Sequence, residues 1–344
     1  MGLTLKHWLL AALLWIAVTT PACAKSSTTF VPHTGSAART KAPGASAKTI
    51  LVIMPSKPQA ESVWSGMKTE LSSEFDMVVA HFDDDASVSE MAATIRNAAP
   101  ACVVLMNNSN VRLYRQYQQS QPVSALFPPA VIVMTSFLQE SVKSVKNATG
   151  ISYEVPGVVQ FVKLRSMIDS PIRKVGVVYR VQFAEFIAAQ RRLAARERIE
   201  LIGYEVTREP SEKEISTALK ALVERDHVDA MWVLNDNGLL SPQLLSSVWL
   251  TSANPRHRLP VMVGVASLVS KELPVGTFAM LPDHVALGVQ VANLIFDLAD
   301  NGWRVEGREV ALPISIRTVV DANEVRQQFV LKQGALDGVE QVAK

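Results

Sequence analysis

The sequence predicts an α/β protein built as two doubly wound parallel-sheet lobes, and three observations carry that prediction. From Thr49 onward, short apolar runs alternate with amphipathic segments, the pattern of a parallel sheet covered by helices on both faces. The pattern breaks off at NATGISYEVP, 147–156, and restarts after it, so this stretch reads as a crossing between two halves. With 344 residues, 48% of them apolar and 19% charged, the chain is long enough for two compact domains.

The N-terminus reads as a leader. Lys6 and His7 precede an apolar core at 8–18, then Thr19, Thr20 and Pro21, and the core is too short to span a bilayer. Ala22-Cys23-Ala24 fits the small-x-small rule for cleavage after Ala24, so residues 1–24 are expected to be a signal peptide and the rest periplasmic. The alternative is a lipoprotein anchored through Cys23. Residues 25–48 are rich in Ser, Thr, Ala, Gly, Pro and Lys, with Phe30 and Val31 as the sizeable apolar groups, and are expected to form a flexible tether. Cleavage would leave Cys102 as the lone cysteine, set in the strand-like run ACVVLM, which excludes an internal disulfide.

In the first lobe, TILVIM is the opening strand, and the helix at 60–71 places Val63, Met67 and Leu71 on one stripe. FDMVVAHF follows, then Ser87-Val-Ser-Glu90 as a capping box whose helix has Val88, Met91 and Ile95 on one face. CVVLM, an NNSN loop, a helix at 111–119 and the strand AVIVM complete the lobe. In the second, a helix at 158–168 leads to KVGVVY, a helix at 183–196, LIGYEV, and a helix capped by Ser211 and Glu214 with Ile215, Leu219 and Leu222 inward. AMWVL, a helix at 242–250 and VMVGV continue it. A strand at 277–281 then runs into a helix with Val285, Val291, Leu294, Ile295 and Leu298 inward, stopped by Gly302, and a strand at 311–320 comes last.

Doubly wound sheets bind ligands beyond the carboxyl ends of their strands, so the loops there hold the candidate site. In the first lobe these are Ser56, Lys57, Asn107, Asn108, Ser109, Thr135 and Ser136, where helix N-termini could hold a carboxylate and where Ser and Asn equally serve as caps. The second lobe offers Tyr179 to stack on a ring, Arg180 to grip a carboxylate, Asp236 to hold an ammonium group, and Asn235 and Gly264 beside them. For Arg180 an exposed salt bridge is the competing reading.

Other classes find little support. A net charge of +2 gives no field for nucleic acid. The six histidines are scattered, and HExxH, CxxC and GxSxG are absent, so no catalytic residue, metal or cofactor is expected. His81 with Asp83, Asp84 and Asp85 reads as a charged turn before a helix.

TGISYEVP, VGVVY, VDAMWVLNDN, LPVMVGV and GTFAMLPDHVALG stand in an order that resembles the periplasmic substrate-binding proteins of ABC importers over 49–320. The resemblance is to the branch related to tryptophan and tyrosine uptake, and Pro58, Glu61 and Gly66 keep that family's spacing at the first helix. It implies a type I periplasmic binding protein fold with three hinge crossings. The first lobe would be 49–153 plus 277–304, the second 154–276 plus 305–322, with 323–344 a C-terminal extension. It further implies that Asn235 and Asp236 face the cleft, and that a monomer closes on a small molecule and delivers it to an inner-membrane ABC permease. A periplasmic sensor presenting its closed form to a membrane receptor is the alternative, and an envelope hydrolase is disfavoured. Relatives often carry an acidic residue in the loops that read GVASLV and TSFLQ here, so an acidic or neutral ligand is expected in preference to an amino acid.

Overall fold

The computed structural model describes residues 38–40 and 48–342. The expected leader, 1–24, lies outside them. Of the expected tether, only Ala38–Thr40 and Lys48 are described, and the former is a strand, β1.

The first lobe runs β2 (Thr49–Met54), α1 (Pro58–Leu71), β3 (Asp76–His81), α2 (Val88–Ala98), β4 (Cys102–Met106), α3 (Asn108–Ser120), β5 (Ala130–Val133), α4 (Leu138–Ser144) and β6 (Ala148–Gly150). The second runs α5 (Gly157–Met167), β7 (Lys174–Arg180), α6 (Ala184–Arg196), β8 (Glu200–Val206), α7 (Glu212–Lys220), β9 (Ala230–Trp232), α8 (Pro242–Leu244) and β10 (Val261–Val263). Then come β11 (Phe278–Pro282), α9 (His284–Asp300), β12 (Ile316–Val320), α10 (Ala322–Gln328) and β13 (Glu340–Gln341).

Two sheets result, in the orders β1-β3-β2-β4-β5-β6 and β13-β12-β11-β10-β9-β7-β8. The first is parallel except for β1, which pairs antiparallel with β3, and the second is parallel except for the β11–β12 pair. The central strands of each are buried on both faces, which is why they read as continuous apolar runs. Along β2, Ile50, Val52 and Met54 face α1 and α9, while Leu51 and Ile53 face α2 and α3, as a two-residue period requires.

The helix starts follow the sequence. Ser87 and Ser211 each form the full reciprocal capping box with Glu90 and Glu214. Ser87→Ala or Ser211→Ala is expected to lower the unfolding free energy by about 1 kcal/mol, measured by urea denaturation.

Three boundaries differ from expectation. Strand β11 belongs to the second sheet, between β10 and β12, so the second crossing follows Pro282 and the return to the first lobe begins with α9. All five of its residues are buried, which only a position inside a sheet provides. The segment after 322 is part of the second lobe: Phe329, Leu331, Leu336 and Val339 pack on its core, Arg256 pairs with Glu324, and Arg317 with Glu340. Within the pivot stretch, Ala148–Gly150 is the edge strand β6, paired with β5. Val285, expected inward on α9, is 52% exposed. Among the described residues no helix is long and apolar enough to cross a membrane.

Candidate functional site

The lobes are joined where three stretches cross, at 150–157, at 282–284 and at 305–316. These stretches pair with one another: Ser152 N–H donates to the Ala311 carbonyl (2.8 Å), Ala311 N–H to that of Gly150 (3.0 Å), and Asp283 N–H to that of Ser315 (3.0 Å). Tyr153 on the first stretch meets His284 on the second, hydroxyl to Nε2 2.8 Å, with the two rings 3° from parallel. Burial holds the His284 imidazole below its ordinary value and pushes the Tyr153 hydroxyl up to about 12, which favours the uncharged form of each.

Beside the first crossing, the lobes close on a small cavity of about 10 Å³, lined by Phe137, Glu154, Gln160, Trp232, Asn235 and Gly264 among others. Phe137 comes from the first lobe, Glu154 from the crossing, Gln160 from α5, and the rest from the carboxyl ends of β9 and β10. Phe137 holds φ 54°, a left-handed conformation that costs a side-chain-bearing residue about 1–2 kcal/mol. Two contacts offset it. Its N–H donates to Glu154 Oε1 at 2.7 Å, and its ring stacks on Phe183 of the second lobe at 3.6 Å, with Phe186 edge-on. The aromatic wall continues from Phe186 to Trp232 and Phe161.

Burial pushes the Glu154 carboxyl up from 4.5 to about 7, against the Phe137 and Glu154 backbone N–H groups and the Ser152 hydroxyl, which pull it down. A carboxyl whose folded value is raised binds its proton more tightly folded than unfolded. Its contribution to stability is therefore full below about pH 4.5 and is lost as pH rises to about 7. Urea midpoints of the native protein should carry this falling component across that window, and Glu154→Gln should flatten it.

Of the residues anticipated from sequence, Asn235 and Gly264 line this cavity, with the Asn235 amide lying over the Gly264 Cα so closely that a Cβ there would sit 2.3 Å from Nδ2. Arg180 and Asp236 are spent on each other: Nε donates to Oδ2 at 2.6 Å and Nη2 to Oδ1 at 2.5 Å, while Nη1 donates to the Arg208 carbonyl at 2.8 Å. Asp236 is 2% exposed and also accepts from Gly238 N–H, so it does not present a free carboxylate to an ammonium group, nor does Arg180 present a free fork to a carboxylate. Tyr179 is in the core rather than a loop, because β7 runs through Arg180 and the alternation that buries Val175 and Val177 buries Tyr179 with them.

The first-lobe candidates act locally. Ser56 donates to Asp83 through N–H (3.1 Å) and Oγ (3.0 Å), and Ser109 Oγ donates to Asp84 (2.8 Å), so the acidic turn fastens the loops after β2 and β4. Asn107 accepts from Asn110 N–H as the cap of α3, Asn108 is exposed on its first turn, and Thr135 is buried with Oγ1 on the Val133 carbonyl. Lys57 precedes α1 with its side chain exposed, and Ser136 is half-buried beside Phe137. None of these lines the cavity. Sequence reasoning missed Glu154, Phe137, Gln160 and Trp232. The first two stand in the quoted stretches SYEVP and TSFLQ, where a carboxylate in a crossing and a bulky aromatic in a tight loop were the available signals.

No family model matches the sequence, and no curated protein matches it. Solved structures do. A Streptococcus pneumoniae ABC domain in complex with L-Trp is similar at a TM-score of 0.56 and 18% identity, covering 87% of this chain and 100% of its own. A ligand-free, open substrate-binding protein with adhesive properties from Clostridium difficile reaches 0.59 at 15% identity, with 87% and 100% covered. A conserved domain protein from Vibrio cholerae reaches 0.54 at 18%, with 86% and 99% covered. At these identities the likeness shows the fold, two α/β lobes of the type I periplasmic binding protein class.

Proposed function

We propose that this chain is an extracytoplasmic solute-binding protein that closes its lobes around a small organic molecule and delivers it to an ABC import permease. The observation that carries the reading is the cavity beside the first crossing, built from one loop of the first lobe, the crossing itself and two strand ends of the second. A site assembled from both lobes exists only when they are shut, so a ligand that bridges them selects the shut form. The L-Trp complex and the open substrate-binding protein among the similar structures support the binding role. The leader-like start of the chain supports export, and with it a permease as partner. No bond chemistry is assigned to the site.

A thermal-shift screen of small amines, amino acids, carboxylates, sugars and nucleosides on the purified chain tests the reading. A ligand at 100 times its Kd stabilises the folded form by about 2.7 kcal/mol through mass action, a plain rise in Tm. X-ray scattering should then report a smaller radius of gyration with that ligand. Failure of every class to raise Tm would remove the binding role.

A further inference from the structure

The side chains lining the cavity beside the first crossing include one carboxyl group and two buried, unpartnered amide oxygens. Glu154 brings a carboxyl group. Gln160, 3% exposed, has its amide nitrogen committed to the Val155 carbonyl at 2.8 Å, which leaves a buried Oε1 with no partner among the described residues. The Asn235 Oδ1 is buried and unpartnered in the same way. Among the described residues no Lys, Arg or His lines the cavity, and the Arg180 guanidinium is held by Asp236. Buried acceptors left unmatched are destabilising, and an occupant supplying N–H donors would recover that loss. An ammonium group offers three donors and no acceptor, and its charge complements Glu154. A ligand carboxylate would meet a like charge and these same acceptors, with no cation to offset them.

From this set, and resting on the binding role proposed above, we propose that the cleft takes a cationic amine carried on an apolar or aromatic body without a carboxylate. The apolar part has its place in the wall of Phe183, Phe186 and Trp232. At about 10 Å³ the cavity has room for about one water, so the ligand enters with the lobes parted. Its ring then replaces Phe137 on the Phe183 face. This reverses the expectation from sequence of an acidic or neutral ligand: the acidic residue absent from the two loops is supplied by the crossing.

The test compares phenethylamine, tyramine and tryptamine with phenylalanine, tyrosine, tryptophan and phenylacetate on the full chain, by thermal shift and calorimetry at pH 8. The amines are expected to bind more tightly than the matching amino acids, with phenylacetate silent. Glu154→Gln keeps the side-chain shape and an acceptor for Phe137 N–H, and should weaken amine binding about 100-fold, the loss typical of removing one partner of a buried charged pair. It should also abolish the decline in amine affinity below pH 7. Should that variant not fold, Gln160→Met is expected to weaken the amines about 10-fold. Tighter binding of the acid or the amino acids, or equal amine affinity in the variant that folds, overturns the inference while the binding role stands. So does a structure in which one trapped water bridges Gln160 and Asn235 and no amine enters. Silence from all of these compounds overturns the inference, and silence from the sugars and nucleosides as well removes the binding role with it.

Discussion

Arg180→Ala is expected to lower the unfolding free energy by about 3–5 kcal/mol, because it strips the partner from a carboxylate that has almost no access to water. Arg180 meets Asp236 through two parallel hydrogen bonds, and Asp236 is 2% exposed against 17% for the arginine. Removing the guanidinium leaves a buried charge with only the Gly238 N–H nearby. It also opens a void over Gly238, whose Cα lies so close beneath the guanidinium that a Cβ would sit 2.3 Å from Cζ, and removes a cation lying 5.5 Å from the Phe183 ring centroid. The matched replacement Arg180→Met with Asp236→Leu should recover most of the loss, since it removes the charge along with its partner. Urea denaturation of the two variants measures both effects. Had Arg180 been a ligand contact on an exposed rim, its loss would have weakened binding and left the melting point alone. An unchanged Tm in Arg180→Ala would restore that role.

The second large effect belongs to the contact between α1 and α9. Gly66 on α1 and Gly288 on α9 face each other so closely that a Cβ on Gly288 would lie 2.1 Å from the Val63 carbonyl oxygen and 3.0 Å from the Gly66 Cα. A Cβ on Gly66 would lie 2.2 Å from the Val285 oxygen. The obstructing atoms are backbone, so neither side can yield by changing rotamer. Gly288→Val should therefore cost about 3 kcal/mol or more by overpacking, with Gly288→Ala smaller in the same direction. Both are read as a fall in Tm. Helix α9 is the element that returns from the second sheet to the first lobe, so a wedge here loosens that return. A shift under about 0.5 kcal/mol for Gly288→Val would mean the helices part without cost.

The sheets were legible because their strands are short, β-branched and bounded: TILVIM, CVVLM, AVIVM, KVGVVY and VMVGV each coincide with a strand. Helices with an apolar stripe or a capping box were equally plain. The missed elements are those without either signal. Ala38–Thr40 and Ala148–Gly150 carry no apolar run and become strands only because a neighbouring edge needs pairing. Helix α10 and β13 have few apolar residues of their own and are fixed by Phe329, Leu331 and two ion pairs.

The candidate site was half legible for a related reason. Asn235 and Gly264 follow strands, so the rule about carboxyl ends finds them. The same rule misplaced Tyr179 and Arg180, because the strand runs two residues past the point where its apolar run thins. Glu154 and Phe137 escaped it altogether. Their meeting depends on a left-handed turn at Phe137 that brings an N–H from one lobe to a carboxyl on the crossing, and nothing in the order of residues announces that. Glycines are silent in the same way: Gly66 and Gly288 lie far apart in sequence, and only the helix crossing reveals that each makes room for the other.

The connecting segments are zipped together by backbone hydrogen bonds, Ser152 to Ala311 and Ala311 to Gly150 on one side, Asp283 to Ser315 on the other. They cannot separate without breaking these bonds, so a rotation of one lobe against the other is expected to carry all three segments together. A pair of fluorescent or spin labels, one on each lobe, would test that expectation.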